Sequence, residues 1–133
     1  MDTTAGGIGD HLGEADRVLV LGRPEDAVAA AAAVGMTGRV IAVCAPGRAL
    51  TAAEGRRRRG GWYGLELHEE GAALPAEDGS LDAVVIARSS ASSRRRGALL
   101  CEVARVLRAG GRLLVADASG AAADWSTALP ARP

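Results

Sequence analysis

Four short aliphatic runs constrain this chain more than any other feature: Arg17-Val-Leu-Val-Leu21, Gly38 to Cys44, Leu81 to Ala87, and Arg112 to Asp117. Each reads as a strand: the first is the continuous run of a strand buried on both faces, and the second is likewise buried. Helix signals separate them. Pro24, Glu25 and Asp26 suit a first helical turn, and the following run of Ala stops at Gly35. Pro46 opens a second helix through about Glu54, and Leu99, Leu100, Val103, Val106 and Leu107 recur at the spacing of one helical face. Trp62 to His68 alternates and reads as a further strand at an edge. Strands alternating with helices imply right-handed crossovers and a parallel sheet covered on both sides, a three-layered α/β architecture. In such sheets ligands bind beyond the carboxyl ends of the strands, which directs attention to Gly22–Asp26, Cys44–Gly47, Glu69–Ala72 and Arg88–Ser93.

A chain of 133 residues supplies one domain. Its segments read as a flexible lead-in over 1–15, a folded domain over 16–118 and a tail over 119–133. Aromatic residues make up 2% and Phe is absent, so the core is built from Val, Leu, Ile and Ala and its elements must approach closely. Sixteen cations balance sixteen acids, which removes any global field toward nucleic acid or an anionic membrane. Every cation is Arg, and Lys, Asn and Gln are absent, a bias expected of GC-rich codons; an Arg therefore says little about a choice over Lys. Two Cys make neither a disulfide framework nor a four-ligand zinc site, so no metal is expected. Met1 to Asp16 lacks the basic start and apolar run of a secretory leader, and no stretch approaches about 20 apolar residues. The expectation is a cytoplasmic domain without membrane contact.

From Arg17 to Asp117 the order of pieces resembles the class I S-adenosylmethionine-dependent methyltransferases. The resemblance lies in Glu70-Gly-Ala-Ala-Leu-Pro75, in Glu77-Asp-Gly-Ser-Leu-Asp-Ala-Val-Val85, and most specifically in Arg105-Val-Leu-Arg-Ala-Gly-Gly-Arg112. Gly38-Arg-Val-Ile-Ala-Val43 is similar to the second strand of the menaquinone/ubiquinone and arsenite types. The resemblance implies a Rossmann-like sandwich whose five-stranded, mostly parallel sheet has the order 3-2-1-4-5. The usual C-terminal antiparallel strands are missing, because sixteen residues follow Asp117. The fifth strand would then carry a bare edge at Arg112–Asp117, which invites a second chain, as homodimer or heteromer, or cover by the tail.

The resemblance also implies three cofactor contacts, at Gly22, Cys44 and Glu70. Family members wrap the cofactor's amino-acid part in a Gly-x-Gly loop, where absent Cβ atoms allow close approach. Here Leu21-Gly22-Arg23-Pro24-Glu25-Asp26 keeps one glycine. An acid that accepts both ribose hydroxyls is replaced by Cys44, whose thiol cannot make that charge-assisted pair. Glu70 keeps the acid that faces the adenine amino group.

Other candidates each have a plainer alternative. Cys44 and Cys101 read as small buried hydrophobes, and Cys101 in particular as core on or beside its helix's apolar face. Arg56 to Arg59 with Trp62 and Tyr63 is the one place where cations and aromatics coincide, as a single-stranded nucleic-acid site requires; the plainer reading is a solvated helix end. Ser92, Ser93, Arg94 and Arg95 put cations at a helix start, against the dipole, which suits a bound anion or else a solvated Ser cap. Trp125 reads as the tail's apolar anchor. The leading reading is a non-catalytic binding or assembly domain. The alternatives are an active small-molecule methyltransferase completed by a second subunit and a weak nucleic-acid binder through Arg56–Arg59.

Overall fold

The computed structural model describes residues 7, 11–21, 24–35, 37–44, 51, 54–55, 65–69, 73–87, 96–116 and 122–129. Strands β1 (Arg17–Leu21), β2 (Arg39–Cys44), β3 (Leu65–Glu69), β4 (Leu81–Ala87), β5 (Leu107–Ala116) and β6 (Ala122–Asp124) form one sheet in the order β3-β2-β1-β4-β5-β6. β1 to β5 are parallel and β6 is antiparallel to β5. Helix α1 (Pro24–Val34) follows β1, and α2 (Arg96–Val106) precedes β5. Of the helix expected over 46–54, Thr51, Glu54 and Gly55 are described and helical.

The continuous apolar runs divide by parity onto two faces. Val18, Val20, Val40, Ala42, Ala83 and Val85 join Ala27, Ala30, Ala31 and Val34 of α1 in one core. Leu19, Leu21, Ile41, Val43, Val84 and Ile86 join Val103, Val106 and Leu107 in the other. This is the three-layered arrangement expected of strands buried on both sides. β3 carries Leu65 inward while Glu66, Leu67 and His68 are half-buried, as an edge strand should. Its edge carries charge: Arg39 Nη2 lies 3.3 Å and His68 Nε2 3.6 Å from the Glu66 carboxylate.

α1 lies close to the sheet because its inward residues are small. A Cβ on Gly38 would fall inside the Val34 side chain and 2.8 Å from its carbonyl oxygen, so only glycine lets β2 start beneath the helix end. The turn expected at Gly110-Gly111 is a loop inside the β5 ladder: Leu107 pairs with Leu81 and Arg112 with Ala83, and residues 108–111 bulge between them. Gly110 has φ +80°, which a side chain would disfavour.

Two expectations need correction. Cys101 is exposed, not core: it stands two residues from both Leu99 and Val103, about 200° round the helix from each. Trp125 anchors the tail through its main chain, donating its N–H to Leu113 O at 2.7 Å, while the indole is 39% exposed. The buried apolar anchors of the tail are Ala122 and, more shallowly, Leu129.

The β5 edge is therefore not bare. Leu114, Val115 and Ala116 pair with Asp124, Ala123 and Ala122, and Leu113 N–H donates to Ser126 Oγ at 3.0 Å. Of the two covers expected for this edge, the structure shows the chain's own tail. At the other terminus, Leu12 packs against the α1-side core, and Ala15 N–H donates to Val34 O at 2.8 Å. Among the described residues, no helix is long and apolar enough to cross a membrane.

Candidate functional site

Register places the strand ends that bound the candidate site side by side. Leu21 pairs with both Val43 and Ile86, Cys44 pairs with Glu69, and Ala87 with Ala116. The loops after β1, β2, β3 and β4 therefore leave the same edge of the sheet, the place where parallel sheets bind ligands. Of the expected contacts, Cys44 is the last residue of β2. Gly22 and Glu70 lie outside the described residues; Leu21 and Glu69, which precede them, end β1 and β3 at this edge. Ser92, Ser93, Arg94 and Arg95 also lie outside, in the segment that joins β4 to α2, as do Arg56–Arg59, Trp62 and Tyr63.

The β1–α1 junction is the most informative part. β1 ends at Leu21 and α1 opens at Pro24, which leaves two residues, Gly22 and Arg23, between strand and helix. That is the short limit for such a connection. The helix opens with Pro24 and, two residues on, carries Asp26, which is 4% exposed, in its first turn. An acid there complements the positive end of the helix dipole from within the chain, at the place where many α/β folds seat a ligand's anionic group.

The loop entering β4 is held by a device that sequence reasoning missed. Arg105 Nε donates to Glu102 Oε2 at 2.8 Å and Nη2 to Glu102 Oε1 at 3.0 Å. The same guanidinium donates to Leu74 O at 3.1 Å, Ala76 O at 3.0 Å and Asp78 Oδ1 at 2.7 Å. Glu102 Oε1 also accepts the Leu74 N–H at 2.9 Å, and Gly79 N–H donates to Arg105 O at 2.8 Å. The hydrogen bond from Arg105 holds the Glu102 carboxyl below its usual range, against burial, with help from Leu74 N–H. The signal lay in the Arg105–Arg112 segment, whose composition marked the family but not what its first residue grips.

Two further carboxylates serve the opposite edge and the tail. Asp82 accepts the Arg17 N–H at 2.8 Å and pairs with Arg108. Burial pushes this carboxyl up, but the Arg17 N–H and the Arg108 hydrogen bond and charge outweigh it, and the net shift is downward. Asp124 accepts the Ser126 N–H at 2.8 Å and hydroxyl at 2.6 Å. These bonds, with the charges of Arg112 and His11, overcome burial and lower its pKa. Among the described residues, no group of His, Cys, Asp and Glu is arranged to hold a metal ion.

The fold and strand-end geometry define a Rossmann-like methyltransferase scaffold. The methyltransferase domain family model matches residues 14–115, about three-quarters of the chain, and the chain belongs to that family. No curated protein matches. Among solved structures it is similar to an S-adenosylmethionine-dependent methyltransferase from Aquifex aeolicus, with TM-score 0.69 and 20% identity over 80% of this chain and 58% of that one. It is also similar to the YcgJ protein of Bacillus subtilis, with TM-score 0.71 and 26% identity over 83% and 47% of the two chains. A third likeness is to a Haloferax volcanii methyltransferase solved in complex with a methyltransferase activator, with TM-score 0.66 and 21% identity over 81% and 48%. The chain spans about half the length of these structures.

Proposed function

We propose that this chain is a methyltransferase-fold binding or assembly domain that does not itself transfer methyl groups. The observation that carries this reading is the β1–α1 junction: two residues, one of them glycine, precede a helix that opens with Pro24 and buries Asp26 in its first turn. The amino-acid part of S-adenosylmethionine needs bare main chain and free helix-terminal N–H groups for its carboxylate. Pro24 has no N–H to give. We read the short junction and Pro24 as a poor match for that part of the cofactor, and Cys44 ends β2, where the resemblance puts the ribose-binding acid. Isothermal titration of the purified chain with S-adenosylmethionine tests the reading. Heat of binding with micromolar or tighter affinity would remove it; no heat at millimolar ligand supports it.

The assembly part of the reading concerns the β5–β6 edge. A homodimer or heteromer formed through Arg112–Asp117 has to add to β6 or displace it, because β6 holds the β5 main chain at Leu114–Ala116. Light scattering across a concentration series, alone and with cell extract fractions, measures this; a constant monomer mass in every condition contradicts it. A cytoplasmic location goes with this reading, in keeping with a free, exposed Cys101. The reading extends to an anion contact through Ser92, Ser93, Arg94 and Arg95, which the sequence alone suggests.

The competing reading, an active small-molecule methyltransferase completed by a second subunit, draws on the Haloferax volcanii complex, in which a methyltransferase is held by an activator. Crosslinking of labelled cofactor that depends on Glu70 would favour it over the first.

A further inference from the structure

We propose that residues 122–129 are an exchangeable cover: the tail of a second copy of this chain takes the place of the chain's own on the β5 edge, and Asp124 with Ser126 form the fastening that sets how fast it is released. The inference rests on the assembly reading above and names the partner for that edge. Leu113, Leu114 and Ala116 are at most 1% exposed, whereas the strand that completes their edge is three residues long and buries Ala122. So small an apolar anchor leaves the hold to directed bonds. In a continuing antiparallel ladder Leu113 would exchange both main-chain bonds with Trp125. Leu113 O does accept the Trp125 N–H, but the Leu113 N–H goes to Ser126 Oγ at 3.0 Å. The one proton of that hydroxyl goes to Asp124 Oδ1 at 2.6 Å, and the same carboxylate oxygen accepts the Ser126 N–H at 2.8 Å. The serine oxygen is thereby left with its lone pairs toward β5. Asp124 orients, and Ser126 holds.

The occupant has to match charge as well as hydrogen bonds. Asp124, opposite Leu114, lies beside Arg112 of β5 and His11 of the lead-in, and the charge of Arg112 and of protonated His11 acts on it. Arg112 Nη2 also lies 3.9 Å from Asp16 Oδ2, so this cation stands between an acid from before β1 and an acid from the tail. A strand arriving at the edge therefore needs an acid opposite Leu114 and a hydroxyl two residues later; without them Arg112 loses one acid and the Leu113 N–H loses its acceptor. The tail of a second copy brings both in register. Residues 117–121, a link of five, join β5 to β6. When two copies exchange tails, each edge regains the contacts it had, and the pair closes on a two-fold axis. Because those contacts are the same before and after exchange, the fastening governs the rate of exchange and not the amount of dimer.

Isotope-labelled and unlabelled full chain, mixed at high concentration and followed by native mass spectrometry, test it through the appearance of mixed dimers. Wild type forms them slowly; Ser126→Ala and Asp124→Asn each form them roughly tenfold faster, the equivalent of one lost charge-assisted hydrogen bond, with total dimer unchanged. Ala116 and Ala122 are partners in register, so Ala116→Cys with Ala122→Cys, in a Cys101→Ser background, locks each tail to its own edge once oxidised. Monomer oxidised at low concentration gives no mixed dimer, and reduction restores it. Mixed dimers formed by the locked monomer, a wild-type exchange rate in Ser126→Ala, or an absence of dimer in wild type would each overturn the proposal. Should the cysteine pair fail to fold, the rates in Ser126→Ala and Asp124→Asn decide alone. A dimer that forms with tails locked leaves the assembly reading standing while this one falls, as does a heteromeric partner in cell extract without self-association. The titration with S-adenosylmethionine reads the non-catalytic part separately.

Discussion

Helices α1 and α2 attach to the same sheet by different means. α1 presents Ala27, Ala30, Ala31 and Val34 and sits so close that Gly38 is required beneath its end. α2 presents Val103 and Val106, supported by Leu99 and Leu100, and adds the Glu102–Arg105 pair reaching to the loop before β4. One helix is held by proximity and the other by bulk and directed bonds. The first arrangement leaves no room for added atoms, and the second leaves cavities and unpaired groups when atoms are removed.

The largest expected effect belongs to the tight face. Gly38→Ala forces a Cβ into Val34 and should cost about 3 kcal/mol in chemical denaturation, since the obstacle includes backbone. A wild-type midpoint in that variant would mean α1 can move away freely. Opposite substitutions sharpen the contrast. Ala30→Leu on the α1 side, where the residue is fully buried, should cost about 2 kcal/mol by overpacking; Val103→Ala on the α2 side should cost about as much by leaving a void. If Ala30→Leu stabilised the fold, the α1 layer would contain unfilled space and the comparison would break.

Acid titration probes the bonded side. Asp82, Glu102 and Asp124 all have pKa values lowered in the folded state. Such groups hold more protons when unfolded, so their stabilisation is complete above the ordinary carboxylate range and is lost as pH falls through the folded values. The unfolding midpoint should stay level from neutral pH to about 5 and fall below roughly pH 4, with a shallower fall in Asp82→Asn. A smaller gain is expected at Ala15, whose φ of +69° is costly for any residue with a Cβ: Ala15→Gly should add about 0.5–1 kcal/mol. The smallest effect is Gly97→Ala in the first turn of α2, where nothing lies within 4 Å of an added Cβ; the midpoint should be unchanged or rise slightly.

The strands that could be read from sequence are those whose burial leaves a mark on neighbouring residues. β1, β2 and β4 are continuous apolar runs because both faces are covered, and their observed bounds follow those runs. β6 left no such mark: Ala-Ala-Asp has no period, and three residues pair with β5 only because the chain returns there. The helix over 96–106 was legible as an apolar face, yet Cys101 was misassigned, since it lies near that face in sequence and opposite it in space. At the candidate site, Gly22, Cys44 and Glu70 are expected from the family resemblance alone, and Gly22 and Glu70 lie outside the described residues. Register then brought the ends of β1, β2 and β3 together. Asp26 was read as a helix-start acid; that it is buried depends on what the fold lays around it.

The sequence by itself determined the order of β1 to β5 and the burial of β1 and β2, because those properties are written in residues adjacent along the chain. Tertiary structure alone decided which edge the tail covers, which way Cys101 faces, and that Arg105 grips Leu74, 31 positions away. A hydrogen bond across that distance in sequence depends on how two elements pack, and no local pattern of side chains specifies it.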